Sequence, residues 1–152
     1  YIIFSGDKIS DSRLQRELNQ IKTAAPFFSK SVYKYEMRLR LRSIYVSGNR
    51  MYFGLELNNK SNLTYDMDFI RTYILDEQKV KRSSFQETEI IPVYKDSLRT
   101  VLGGTKSELL IAVPKFTLSD NKRFRIELFE KNGGRDFFLE IKNHQLLRAR
   151  NL

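Results

Sequence analysis

The chain changes hydrophobic period once along its length. In residues 12 to 25, "SRLQRELNQIKTAA", Leu14, Leu18, Ile21 and Ala25 recur at helical spacing, with Ser12 and Gln15 placed as a capping box. This pattern predicts a helix of about 12 to 14 residues with one apolar face. Pro26 breaks it, and "PFFSKS" reads as a short connection carrying two exposed or half-buried phenylalanines. Residues 1–34 are thus read as an N-terminal helical segment and linker, and residues 35–152 as a β-domain with a short C-terminal tail.

From Tyr35 the pattern alternates. Met37, Leu39 and Leu41 point one way, while Glu36, Arg38, Arg40 and Arg42 point the other, which predicts a strand with one wet, basic face. Ile44 and Val46 share parity with the arginines, so a bulge is expected near Ser43. "SGNR" then turns the chain into the alternating run Met51, Phe53, Leu55, Leu57, giving a hairpin over 35–58 that closes in "NNKSN". Further strands are predicted at Met67–Leu75, Phe85–Val93, Glu108–Val113, 124–129 and 136–142. About seven strands with almost no helix after residue 35 predict a mainly β fold, an antiparallel immunoglobulin-like sandwich with an N-terminal helix, with a closed barrel as the runner-up.

The stretch "FEKNGGRDFFLE" at 129–140 raises the choice between a phosphate-cradling loop and a turn. A two-residue type I′ turn at Asn132–Gly133 would set Leu128 opposite Phe137, Ile126 opposite Leu139 and Phe124 opposite Ile141. It would also oppose Arg125 to Glu140 and Glu130 to Arg135, whereas a turn on Gly133–Gly134 would bring like charges together. The asparagine-glycine register is therefore preferred, with the glycines serving backbone geometry at positive φ. Phe129 and Phe138 then face outward, where either the helix of residues 12–25 or another protein would cover them.

Composition narrows the chemistry. The chain has 152 residues, enough for a domain with its own core, and it lacks cysteine, so disulfides and thiolate metal sites are excluded. One histidine, His144, leaves no room for zinc motifs built from Cys and His and weakens any histidine-based triad. No apolar run approaches the length of a membrane span. The first residue is Tyr1, which reads as a processed or trimmed chain. An excess of 27 Lys plus Arg over 18 Asp plus Glu gives a net charge of +9, which favours nucleic acid, anionic lipid or an acidic protein as partner.

Individual motifs add little chemistry. "LGGTKS" at 102–107 lacks the upstream glycine of a P-loop and reads as a turn. The pairs Asp66/Asp68 and Glu87/Glu89 share strand faces but lack the extra ligands of a cation loop. "NKS" and "NLT" at 59–64 are glycosylation triplets of low information. Arg38, Arg40 and Arg42, spaced about 7 Å apart by the pleat, form the most directional basic feature, suited to phosphates or acidic side chains. No aromatic signature for base stacking accompanies them. No catalytic residue, metal ligand or cofactor site is therefore assigned; the candidate partner contacts are Arg38, Arg40, Arg42, Phe129 and Phe138.

The runs "SNLTYDMDFIR", "KRSSFQETEI" and "FEKNGGR", in that order within residues 35–152, resemble the TraN family of conjugative transposon proteins from Bacteroidetes. The resemblance implies a structural, non-enzymatic component of a type IV secretion-like DNA-transfer apparatus, periplasmic and associated with the outer membrane through partners. It implies other transfer proteins as partners and is compatible with a homo-oligomer. The alternative is direct, non-specific binding of the transferred DNA.

Overall fold

A computed structural model describes residues 3–76 and 86–152. Helix α1 (Ile3–Thr23) leads into β1 (Ser31–Lys34), β2 (Met37–Ser47), β3 (Arg50–Asn59), β4 (Tyr65–Asp76) and β5 (Gln86–Ile90). The chain continues through β6 (Tyr94–Lys95), β7 (Thr100–Val101), β8 (Thr105–Pro114), β9 (Lys122–Glu130) and β10 (Phe137–Lys142). It ends in the short helix α2 (Asn143–Leu146) and β11 (Arg150–Asn151).

The strands build two sheets. One has the order β1-β2-β3-β8-β6, with β11 added in parallel to β2; the other has the order β10-β9-β4-β5, with β7 added to β4. Strict alternation on β2 and β3 sends Leu39, Leu41, Phe53 and Leu55 inward, where they meet Ile70, Phe124, Ile126, Leu128 and Leu139 of the second sheet in one core. The fold is thus mainly β, with two antiparallel sheets sharing a core. The predicted bulge lies between Leu41 and Ser43, and Gly54 opposite it has no room for a side chain, since a Cβ would stand 2.7 Å from Ser43 Oγ.

Several boundaries move. Sheet structure begins before Tyr35: β1 pairs with β2, and Tyr35 and Glu36, both at positive φ (56° and 59°), make the turn between them. The strand predicted over Phe85–Val93 starts outside the described residues at Phe85, and its remainder divides. Gln86–Ile90 pairs with β4, whereas Tyr94–Lys95 pairs with β8 in the other sheet, the chain crossing at Ile91–Val93 around Pro92. Ser12 is not an N-cap, because α1 continues through it toward Ile3. Phe28 is buried, and only Phe27 is half-buried.

Helix α1 packs on the outer face of the first sheet. Leu18 and Ile21 bury against Tyr45, Tyr52, Leu110 and Ala112. A polar anchor accompanies them: the Glu17 carboxylate, 8% exposed, accepts hydrogen bonds from Ser47 Oγ, from the Tyr52 hydroxyl and from Arg13 Nε at 3.1 Å. Burial pushes the Glu17 carboxyl up, but the bonds from Ser47, Tyr52 and Arg13 and the Arg13 charge outweigh it and hold it below its ordinary value. The helix therefore does not cover Phe129 and Phe138, which lie on the opposite outer face.

Candidate partner-binding surfaces

The pleat of β2 places Arg38, Arg40 and Arg42 together on the outer face of the first sheet, as their spacing predicts, but the face is not wet. All three are half-buried. Arg40 Nη2 donates to the Phe28 carbonyl at 3.1 Å, tying the connection after α1 to the sheet. Arg42 Nη1 lies 3.6 Å from Glu108 Oε1 with only 13% of its side chain exposed. Register also brings Glu56, 8% exposed, between Arg40 and Glu108, so the stripe sits in a mixed field rather than a basic one. Of the three, only the Arg38 side chain makes no hydrogen bond or ion pair with another described residue.

The outer face of the second sheet is organised differently. β9 and β10 pair in the predicted register, Leu128 with Phe137, Ile126 with Leu139 and Phe124 with Ile141, leaving Phe129 and Phe138 outward. Phe69 of β4 joins them. Its ring stacks on Phe129 at 4.5 Å, and Phe129 meets Phe138 edge-on at 6.1 Å. Arg71 caps the Phe69 ring at 4.7 Å and Arg125 lies over Phe138 at 5.5 Å, completing an aromatic and guanidinium patch on which Phe138 remains 44% exposed.

Beside the rings runs an ion network. Glu140 receives Arg123 at 2.8 Å and Arg125 at 2.9 Å, and Arg125 also reaches Glu127 at 3.3 Å. Burial raises the Glu140 carboxyl, yet hydrogen bonds and charge from Arg123 and Arg125 leave it net lowered. Burial likewise works against the Arg125 charge, and its bonds to Glu140 and Glu127 reverse the effect. Phe69 escapes sequence reading because a bulge between Met67 and Phe69 reverses the parity of β4: Met67 points into the core and Phe69 out. The signal available was Ile70, Thr72 and Ile74, whose inward parity is incompatible with an inward Phe69.

The other motifs resolve into structure. The 129–140 loop is not a two-residue type I′ turn, since pairing stops at Leu128–Phe137 and only Asn132 takes positive φ (52°). Gly133 lacks a side chain for another reason: a Cβ there would lie 2.6 Å from Glu130 Cδ. Glu130 is held in place by Arg135, through Nη2 at 2.6 Å and the backbone amide at 3.0 Å, and Arg135 Nη2 also donates to the Thr64 carbonyl at 2.7 Å. Hydrogen bonding from Arg135 outweighs burial and lowers the Glu130 carboxyl.

In "LGGTKS" the amides are spent internally, Gly104 N donating to the Asn59 carbonyl at 2.8 Å and Thr105 N to the Leu102 carbonyl at 3.1 Å. Asn59, head of the "NKS" triplet, is fully buried and cannot take a glycan, whereas Asn62 of "NLT" is exposed. Asp66 accepts from Thr100 Oγ1 at 2.7 Å, and among the described residues no group of three or more His, Asp or Glu is placed to hold a metal ion. No described helix is long and apolar enough to cross a membrane.

No curated protein matches the chain. A family model does match, over residues 14–151, which takes in the C-terminal half of α1 and both sheets. The chain belongs to the family described as "Domain of unknown function (DUF4138)".

Proposed function

We propose that this chain is a structural, non-enzymatic module of a conjugative transposon DNA-transfer apparatus of the type IV secretion kind. In this reading it is an immunoglobulin-like β-sandwich of the TraN type, periplasmic and held at the outer membrane by other subunits. The likeness of "SNLTYDMDFIR", "KRSSFQETEI" and "FEKNGGR" to that family supports the apparatus. The observation that carries the mode of action is the Phe69, Phe129 and Phe138 patch with its two arginines, because aromatic and arginine side chains dominate the energetics of protein interfaces. The occupant is another protein subunit, and no described element covers the rings.

The test is a double substitution, Phe129→Ser with Phe138→Ser, in full-length protein expressed in donor cells. Both rings lie outside the shared core, so the sheets should remain folded by circular dichroism. Loss of two aromatic contacts of about 2 kcal/mol each should cut transfer by more than tenfold and remove partner subunits from an envelope pull-down. Wild-type transfer together with an unchanged pull-down would overturn the proposal. Direct binding of the transferred DNA draws on the net charge of +9; it would appear as affinity for unrelated DNA sequences that falls steeply with salt.

A further inference from the structure

A groove of about 300 Å³ opens where the connection after α1 meets the turn after β10. Its walls are Phe27, Phe28, Ser29 and Lys30 on one side and His144, Gln145 and Arg148 on the other. The two sides are remote in sequence but fixed independently. The Lys30 carbonyl accepts from Leu41 N at 2.8 Å, and Phe27 N and Phe28 N both donate to the Arg42 carbonyl, at 2.9 and 3.0 Å, which ties this wall to the edge of β2. Opposite, Leu146 is buried in the core, and Leu147 N donates to Asn143 O at 2.9 Å and Arg148 N to Gln145 O at 3.0 Å.

The chemistry of the lining is one-sided. It contains Lys30 and Arg148 but no carboxylate, and neither cation has an ion-pair partner among the described residues. Gln145 Oε1 is already occupied by Lys142 N at 2.9 Å, so the amide has only its NH₂ to offer. Ser29 adds a free hydroxyl. Arg148 rests on the Phe28 ring at 5.5 Å, and just outside the groove Arg150 covers Phe27 at 3.8 Å; both cations are thereby oriented without being neutralised. A second cavity, about 170 Å³ beneath the end of α1, makes the contrast: there Lys22 pairs with Asp96 and Arg42 with Glu108.

We infer that this groove is a binding site for a phosphate-type oxyanion, held by Lys30 and Arg148 with Ser29 and Gln145 completing its hydrogen bonds. Donors arriving from two walls suit a tetrahedral anion with three or more acceptor oxygens better than a planar carboxylate with two. Phe28 and Phe27, their rings tilted at 44°, each have a face engaged, by Arg148 and Arg150, so the site recognises the anionic group and not an aromatic ring attached to it. Such a group can arrive free, as a small-molecule phosphate ester, or as a lipid headgroup at a membrane surface.

The experiment is a titration of the isotope-labelled protein with inorganic phosphate and pyrophosphate, followed by amide shifts. A parallel arm measures co-sedimentation with phosphatidylglycerol vesicles and with phosphatidylcholine vesicles. The expected result is saturable shifts confined to residues 29–30 and 144–148, tighter for pyrophosphate, weakened about tenfold or more in Lys30→Ala or Arg148→Ala and unchanged in Lys106→Ala. Sedimentation with phosphatidylglycerol alone, lost in the same variants, identifies a headgroup as the source; soluble-anion binding without sedimentation identifies a small molecule. Shifts that do not saturate, or that survive Lys30→Ala and Arg148→Ala equally, overturn the site.

Discussion

Removing the Glu17 carboxylate should loosen the helix from the sheet by a calculable amount. Three donors converge on that group, and one of them, the Tyr52 hydroxyl, belongs to a fully buried residue that Glu17→Ala would leave without its carboxylate acceptor. Hydrogen bonds to a charged acceptor contribute about 1.5–3 kcal/mol each, but Arg13 and Ser47 regain water when released, so the expected loss is about 3 kcal/mol. Burial of Leu18 and Ile21 contributes about 3–6 kcal/mol to the same contact, so α1 should stay docked but open far more often.

Urea denaturation at pH 7 and amide hydrogen exchange of residues 14–23 measure the two effects. The sign of the pH dependence follows from the lowered carboxyl: its contribution is complete above the unfolded value of 4.5 and disappears as pH falls through the lower folded value. The difference between wild type and Glu17→Ala should therefore shrink below pH 4.5. Burial first, and then the bond to Glu17, pushes the Tyr52 hydroxyl up to about 12, and this should fall in the variant. A stability difference under about 0.5 kcal/mol at pH 7, or one that does not change on acidification, refutes the anchor.

Two further outcomes test the loops. Asn59→Ala should cost about 2–4 kcal/mol and expose residues 60–64 to proteolysis, since Asn59 Nδ2 donates to Leu63 O at 2.7 Å and Val101 O at 3.1 Å while its oxygen accepts from Ser61. Gly133→Ala should lower stability by about 1–2 kcal/mol in a thermal melt, because the new methyl displaces Glu130 from Arg135, whereas Gly134→Ala, with nothing within 4 Å, should be nearly neutral.

What the sequence could show was set by how local each cause is. The β9–β10 register was legible because Arg125 and Glu140 oppose each other under one register and not under its neighbour. The width of the connecting loop was not, because it depends on Glu130 folding back over Gly133 to reach Arg135. Leu14, Leu18 and Ile21 announced an apolar helix face, but nothing in their spacing says which sheet it meets. The two-residue strands β6 and β11 carry no periodicity at all, and they form because β8 and β2 offer them an edge. Arg40 looked like a free cation for a similar reason, since its acceptor is a main-chain carbonyl at Phe28.

The two outer faces differ in what a partner would have to displace. On the first sheet α1 already occupies part of the face, and Arg40 and Arg42 are engaged within the chain. Docking there would bury Arg38, a cation with no carboxylate of its own, and burying an unpaired charge costs several kcal/mol unless the partner supplies the missing group. On the second sheet Arg125 is neutralised in advance by Glu140 and Glu127, and it lies over Phe138. A subunit closing over that patch removes aromatic surface from water with Arg125 already paired, and has to supply an acceptor only for Arg71, the exposed cation over Phe69. An acidic partner would favour Arg38, whereas the second face suits a partner that lays apolar surface on the phenylalanines and brings a polar acceptor to Arg71.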